Sequence, residues 1–298
     1  MAATKAATIS ARFKWNRSQL IETNTYVKVY TETLNKILPP DDRQTLFIVS
    51  KLFADGAAES GRRRLHMARY FFDRGEKYVA AIPAENAFLK QFLTNIYDRS
   101  KSFYHYRTGN IAEAIRLVHN AIDNNQALEA NGFEFLVFDR VSQYHNLSKI
   151  YFGLQQPERA FEILSDAIGF LIAGRSQVLE DLNNNFVTEY TADLREMRYS
   201  LMAQLLFETT TNLQKETDKE AFLRDSAGFF QPILRSSQQF MVLEESETLL
   251  QKWLAVVALF YEQKPEQFKQ AAEDFLESEP PFLRSVPQQL LRGFLSYN

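Results

Sequence analysis

Apolar residues recur every three or four positions along most of this chain, the spacing of a single buried stripe on an α-helix. Read from the N-terminus, that spacing predicts helices over Ser18–Ile37 and Asp41–Ala54, the second carrying Leu46, Phe47, Val49, Leu52 and Phe53. It continues over Arg62–Phe72, Ala84–Tyr106, Ile111–Leu128, Glu134–Phe152 and Pro157–Ile172. Further helices are expected over Glu189–Leu213, Lys219–Phe230, Glu244–Tyr261, Pro265–Leu276 and Val286–Leu295. Pro39-Pro40 ends one helix and starts the next, because proline disfavours helix in the residue before it. Breaks are expected at Asp55–Gly61, from Arg74-Gly75 to Pro83, at Thr108-Gly109-Asn110, at Asn131-Gly132 and at Gly153.

Composition agrees with helices and argues against sheets. The 298 residues include only 10 Gly and 9 Pro, too few for the frequent turns of an all-β fold. Phe (25) and Tyr (13) favour broad packed interfaces between helices. There is no cysteine, so disulfides, thiolate zinc sites and cysteine nucleophiles are excluded. The longest apolar run, Trp253 to Tyr261, is half a membrane span, and the N-terminus lacks the apolar core of a signal peptide. A cytoplasmic protein is expected. Charge is uneven: residues 1–150 carry 21 Lys+Arg against 15 Asp+Glu, and residues 151–298 carry 13 against 22. That polarity can steer a charged partner to one end, and it leaves association between copies open.

Two segments align with each other at an offset of 46 residues. The first reads Asp98-x2-Lys101-Ser102-x2-His105-Tyr106-x2-Gly109-Asn110-Ile111-x2-Ala114-Ile115-x2-Val118-x2-Ala121-Ile122. The second reads Tyr144-x2-Leu147-Ser148-x2-Tyr151-Phe152-x2-Gln155-Gln156-Pro157-x2-Ala160-Phe161-x2-Leu164-x2-Ala167-Ile168. Ser102, Ser148, Ala114 and Ala160 are small where two helix backbones would cross closely. The pattern resembles the tetratricopeptide repeat, whose usual length is about 34 residues. The longer offset resembles the extended-helix members of that superfamily. The resemblance implies an all-α fold of antiparallel hairpins stacked as a right-handed superhelix, with the first helix of each hairpin lining a groove for a partner peptide or helix. In that register Arg99, Phe103, Tyr106 and Arg107 face the groove from one copy, and His145, Lys149 and Phe152 from the other. The expected organisation is a tail and first helix (1–40), a basic helical segment (41–83) and the repeat region (84–298), with its best copies at 95–125 and 141–174.

Catalytic chemistry finds no foothold in the sequence. The histidines, His66, His105, His119 and His145, form no His-Glu-x-x-His pair, and no Gly-rich phosphate loop or Gly-x-Ser-x-Gly elbow occurs. Glu244, Glu245 and Glu247 lie on a charged stretch with no apolar setting to raise a pKa. The densest charge is basic: Arg62, Arg63, Arg64, His66, Arg69 and Arg74. A sequence pI near 5.9 argues against nucleic acid as its target and favours an acidic protein. The expectation is a non-catalytic adaptor with neither cofactor nor metal, binding a protein or peptide. The alternative is a regulator that responds to a peptide or small ligand.

Overall fold

The computed structural model describes residues 24–174, 192–213, 215, 218–237, 245–262 and 264–278. The expected helix Val286–Leu295, and the starts of those placed at Ser18, Glu189 and Glu244, lie outside the described residues. All regular structure among the described residues is helical. Its helices are α1 (Asn24–Ile37), α2 (Pro40–Gly61), α3 (Leu65–Ala80), α4 (Ala87–Arg107), α5 (Ile111–Glu129), α6 (Leu136–Gly153), α7 (Pro157–Ala173), α8 (Ala192–Leu213), α9 (Lys219–Ser237), α10 (Glu245–Tyr261) and α11 (Pro265–Ser278). None of these is long and apolar enough to cross a membrane.

The chain divides into two compact units, Val27–Gln156 and Met1–Tyr26 with Pro157–Asn298. In the first, α2 packs on α3, α4 on α5 and α5 on α6, while α4 also lies along α2. Two expected breaks are absent. Helix α2 runs unbroken through Gly56 to Gly61, and α3 runs through Gly75 to Ala80. Both glycines are buried because aromatic rings occupy the space a side chain would need. A Cβ on Gly56 would lie 2.9 Å from Phe72 Cε2, and one on Gly75 would lie 2.8 Å from Phe53 Cδ1. Each helix thus supplies a ring to the other's glycine, and the Phe53 and Phe72 rings stack with centroids 6.3 Å apart.

This pair of helices keeps the 46-residue step of the two aligned segments. Helices α2, α4 and α6 end at Gly61, Arg107 and Gly153, and α3, α5 and α7 begin at Leu65, Ile111 and Pro157, all at steps of 46 residues. The turns between them share one geometry. Arg63, Gly109 and Gln155 each take a positive φ (60°, 80° and 57°). The next residue then donates its N–H five positions back, Arg64 to Glu59 (2.9 Å), Asn110 to His105 (2.9 Å) and Gln156 to Tyr151 (3.0 Å). This is the Schellman closure, which satisfies carbonyls left open at a helix end. The small buried positions follow the same step: Gly56, Ser102 and Ser148; Ala68, Ala114 and Ala160; Gly75, Ala121 and Ala167.

Polar groups join the first unit's helices as specifically as apolar ones. Lys101 of α4 is buried with its ammonium 4.8 Å from the Phe72 ring, 5.4 Å from Tyr97 and 5.5 Å from Tyr104. Its charge is met by Glu76 Oε1 at 2.9 Å, which also accepts from Tyr97 at 2.8 Å. Burial works against the Glu76 carboxylate, but the hydrogen bonds from Lys101 and Tyr97 outweigh it and hold the pKa below the usual range. An aromatic group of Tyr30, Phe88, Phe92, Phe133 and Phe135 ties α1 to the start of α4 and to the α5–α6 connection.

In the second unit α7 packs on α8 and α9, and α10 packs on α9 and α11. Its core is aromatic, linking Phe161 to Phe229, Phe229 to Phe230, and Phe230 to Trp253. Helix α9 continues past its expected end at Phe230 to Ser237 and contains Pro232. Proline there removes one helical hydrogen bond and crowds the carbonyl four residues back. That carbonyl belongs to Gly228, where a Cβ would find nothing within 4 Å.

Candidate partner-binding surface

The surface begins with the way α2 ends. Its last turn closes through Arg64 N–H on the Glu59 carbonyl, which forces Arg63 into the left-handed region and turns Arg62, Arg63 and Arg64 outward. Glu59 is buried under them and pairs with Arg62 and, at 3.5 Å, with Arg64. No carboxylate pairs with Arg63 among the described residues.

The ends of α2, α4 and α6 lie side by side along one rim of the first unit. Arg107 Nη2 donates to the Gly61 carbonyl at 3.5 Å, and a Cβ on Gly61 would sit 3.7 Å from Phe103 Cε1. On the other flank a Cβ on Gly153 would lie 3.3 Å from Tyr106 Cζ, so α6 approaches α4 through its terminal glycine. Two sets of residues that the sequence presented separately therefore meet. Gly61, the residue that leads into Arg62, Arg63 and Arg64, touches Phe103 and Arg107, and Tyr106 lies against α6. Phe103 is 39% exposed, and the Arg107 guanidinium carbon is 5.8 Å from its ring centroid. Phe152 is half-buried and Leu154 exposed at the end of α6, extending the rim. Cations suit this edge because three helix C-termini, with their partial negative charge, converge on it.

Other residues assigned to the groove lie elsewhere. Arg99 is half-buried and paired with Asp139, so its charge is committed within the fold. Asp139 also accepts from Asn125 Nδ2 at 3.1 Å, and Asn125 Oδ1 accepts from Asn95 Nδ2 at 2.6 Å. That chain of buried groups joins α4, α5 and α6. His145 is buried. Lys149 is exposed one turn before the end of α6. Arg69 is exposed on α3, 3.6 Å from Asp73. Of the remaining histidines, His66 and His119 are exposed, while burial and the nearby Lys101 hold the half-buried His105 below the usual imidazole pKa.

Two carboxyls depart from ordinary titration. Burial raises Asp98 to about 6, with Asn124 Nδ2 3.4 Å from its Oδ2. Burial likewise raises Glu129 to about 7 although Arg140 donates to it at 2.7 Å. Both lie inside the helical packing and away from the rim. Among the described residues, no group of three or more His, Asp and Glu is placed to hold a metal ion. No protein-family model, curated protein or solved structure matches the chain.

Proposed function

We propose that the protein is a non-catalytic adaptor of the tetratricopeptide-like kind that binds an acidic segment of a partner protein along the rim at Arg62–Arg64, Phe103 and Arg107. The observation that carries this reading is the Arg107 guanidinium lying 5.8 Å from the exposed ring of Phe103, both against Gly61, which leads into Arg62–Arg64; neither Arg63 nor Arg107 pairs with a carboxylate among the described residues. Arginine beside an exposed aromatic is the composition of binding hot spots, where stacking and charge act on one ligand segment. Three helix–turn–helix segments at a constant step support the repeat architecture, since stacked repeats build extended surfaces from equivalent positions.

The test is affinity capture from native cytosol with the wild-type chain and with an Arg63→Glu/Arg107→Glu variant, each verified as folded by circular dichroism. The wild type should recover specific proteins through acidic segments, and the double variant should lose them. Equal recovery by both chains, or none above background by either, would overturn the reading.

A further inference from the structure

Helix α3 packs on α2 and α4 through Ala68, Phe72 and Gly75, and no other described helix packs along its opposite face. Met67, Tyr70 and Tyr78 on that face are 37%, 49% and 44% exposed. With Arg74 they recur at intervals of three and four (67, 70, 74 and 78), the spacing one helix presents to another, and Lys77 flanks them. The seam runs about 16 Å from Met67 to Tyr78 at 1.5 Å per residue.

The second repeat supplies an internal control. The positions of α5 equivalent to Met67, Tyr70, Arg74 and Tyr78 are Glu113, Arg116, Asn120 and Asn124. There Glu113 and Arg116 pair with each other, Glu113, Asn120 and Asn124 are half-buried, and Asn124 lies 3.4 Å from Asp98. Polar residues thus stand in α5 where α3 carries exposed Met67, Tyr70 and Tyr78. They are also set in place: Arg74 Nη1 donates to Tyr70 Oη at 3.2 Å, with its guanidinium carbon 5.7 Å from the same ring. Charge on the face is lopsided. Asp73 is answered by Arg69, and Glu76 is committed to Lys101, which leaves Arg74 and Lys77 with no carboxylate partner among the described residues.

We infer that this face of α3 docks an amphipathic helix of a partner protein, with apolar residues in heptad spacing and Asp or Glu flanking them. The inference rests on the adaptor reading and extends it by a second, adjoining surface and by the secondary structure of the ligand. An apolar seam is of no use to a plain polyanion, and its uncompensated cations repel a basic helix. Ridge-into-groove packing against Met67, Tyr70 and Tyr78 suits a helix of opposite charge.

The experiment titrates the full chain with fluorescent peptides of about three heptads, read by anisotropy. One has Leu at the seam with Glu flanks, one has the same seam with Lys flanks, and one is polyglutamate; a short DNA duplex is the fourth probe. The Leu/Glu peptide should bind at least about tenfold more tightly than the other probes, and Tyr70→Ala/Arg74→Glu should weaken it about tenfold or more. Polyglutamate or duplex binding equal to the Leu/Glu peptide would make the face a general polyanion site and overturn the inference. So would wild-type affinity in Tyr70→Ala/Arg74→Glu, or a wild-type dimer in sedimentation that this variant splits. Phe103→Ala/Arg107→Glu separates the two surfaces. If that variant loses the peptide while Tyr70→Ala/Arg74→Glu keeps it, the rim stands and the α3 seam fails. If the reverse holds, the seam stands without the rim.

Discussion

The ring of Phe53 on α2 occupies the space that a side chain on Gly75 of α3 would need, its Cδ1 and Cζ lying 2.8 and 2.9 Å from where the Cβ would be. The reciprocal contact, Phe72 on Gly56, makes the first hairpin a matched pair of rings and gaps. Close-packed interiors yield little to an added methyl group. Gly75→Ala should therefore destabilise the chain by about 1–3 kcal/mol in urea denaturation. Adding Phe53→Leu to that variant should recover part of the loss. An unchanged midpoint for Gly75→Ala alone would show that the ring moves aside at no cost.

The three equivalent turns offer a graded test of backbone strain. Gly109 holds its positive φ without penalty, whereas Gln155 holds nearly the same turn with a side chain. A left-handed residue other than glycine costs about 1–2 kcal/mol. Gly109→Ala should lower stability by about 1 kcal/mol, and Gln155→Gly should raise it by a few tenths once the freer unfolded chain is counted. Thermal denaturation of both variants decides it, and a loss at Gln155→Gly would contradict the shared geometry.

Asp98 should make stability depend on pH. Its carboxyl titrates at about 6 in the folded chain because burial disfavours the charge, above the ordinary value near 4. Proton binding therefore favours the fold, and stability falls as pH rises from about 4 through 6. Asp98→Asn removes the buried charge and keeps an acceptor for Asn124. It should exceed the wild type by on the order of 2 kcal/mol at pH 8 and match it near pH 4. A gain independent of pH would assign the effect to something other than ionisation.

Asn125 is wholly buried between Asn95 and Asp139, donating to one helix and accepting from another. Asn125→Leu leaves both partners without it and should cost about 2–4 kcal/mol. Asn125→Asp sets a second carboxylate against Asp139, so its deficit should be largest at alkaline pH and shrink on acidification. Unfolding midpoints measured from pH 5 to pH 8 would show the trend, and a flat profile for Asn125→Asp would contradict this placement.

Much of the helical order was legible before the tertiary structure. From Ala84 to Ile172 the expected helices agree with α4 to α7 to within about three residues, since capping glycines, Pro157 and a steady 3.6-residue stripe all point the same way. The first repeat was harder to see. Positions 53, 99 and 145 hold Phe, Arg and His, and 49, 95 and 141 hold Val, Asn and Val, so the small residues keep the step best. Gly56 and Gly75 were read as breaks because glycine marks a turn and a close approach alike, and only the neighbouring ring tells them apart. Arg99 was placed on an open wall for a related reason. Helical spacing assigns a residue to a face, but Asp139, forty residues on, commits its charge inside the fold.

The sequence by itself determined the helical character of the described residues, the 46-residue step of the two aligned segments and the turns at Thr108–Asn110, Asn131-Gly132 and Gly153, because these follow from local backbone preference and stripe periodicity. The tertiary structure alone decided that α2 and α3 share the step and the turn geometry of the two aligned segments, and that Gly61, just before Arg62–Arg64, meets Phe103 and Arg107 on one rim. It also decided that Met67, Tyr70 and Tyr78 on the outer face of α3 are exposed. Such juxtapositions depend on which helix packs against which, a choice made by the fit of rings into gaps between residues far apart in the chain.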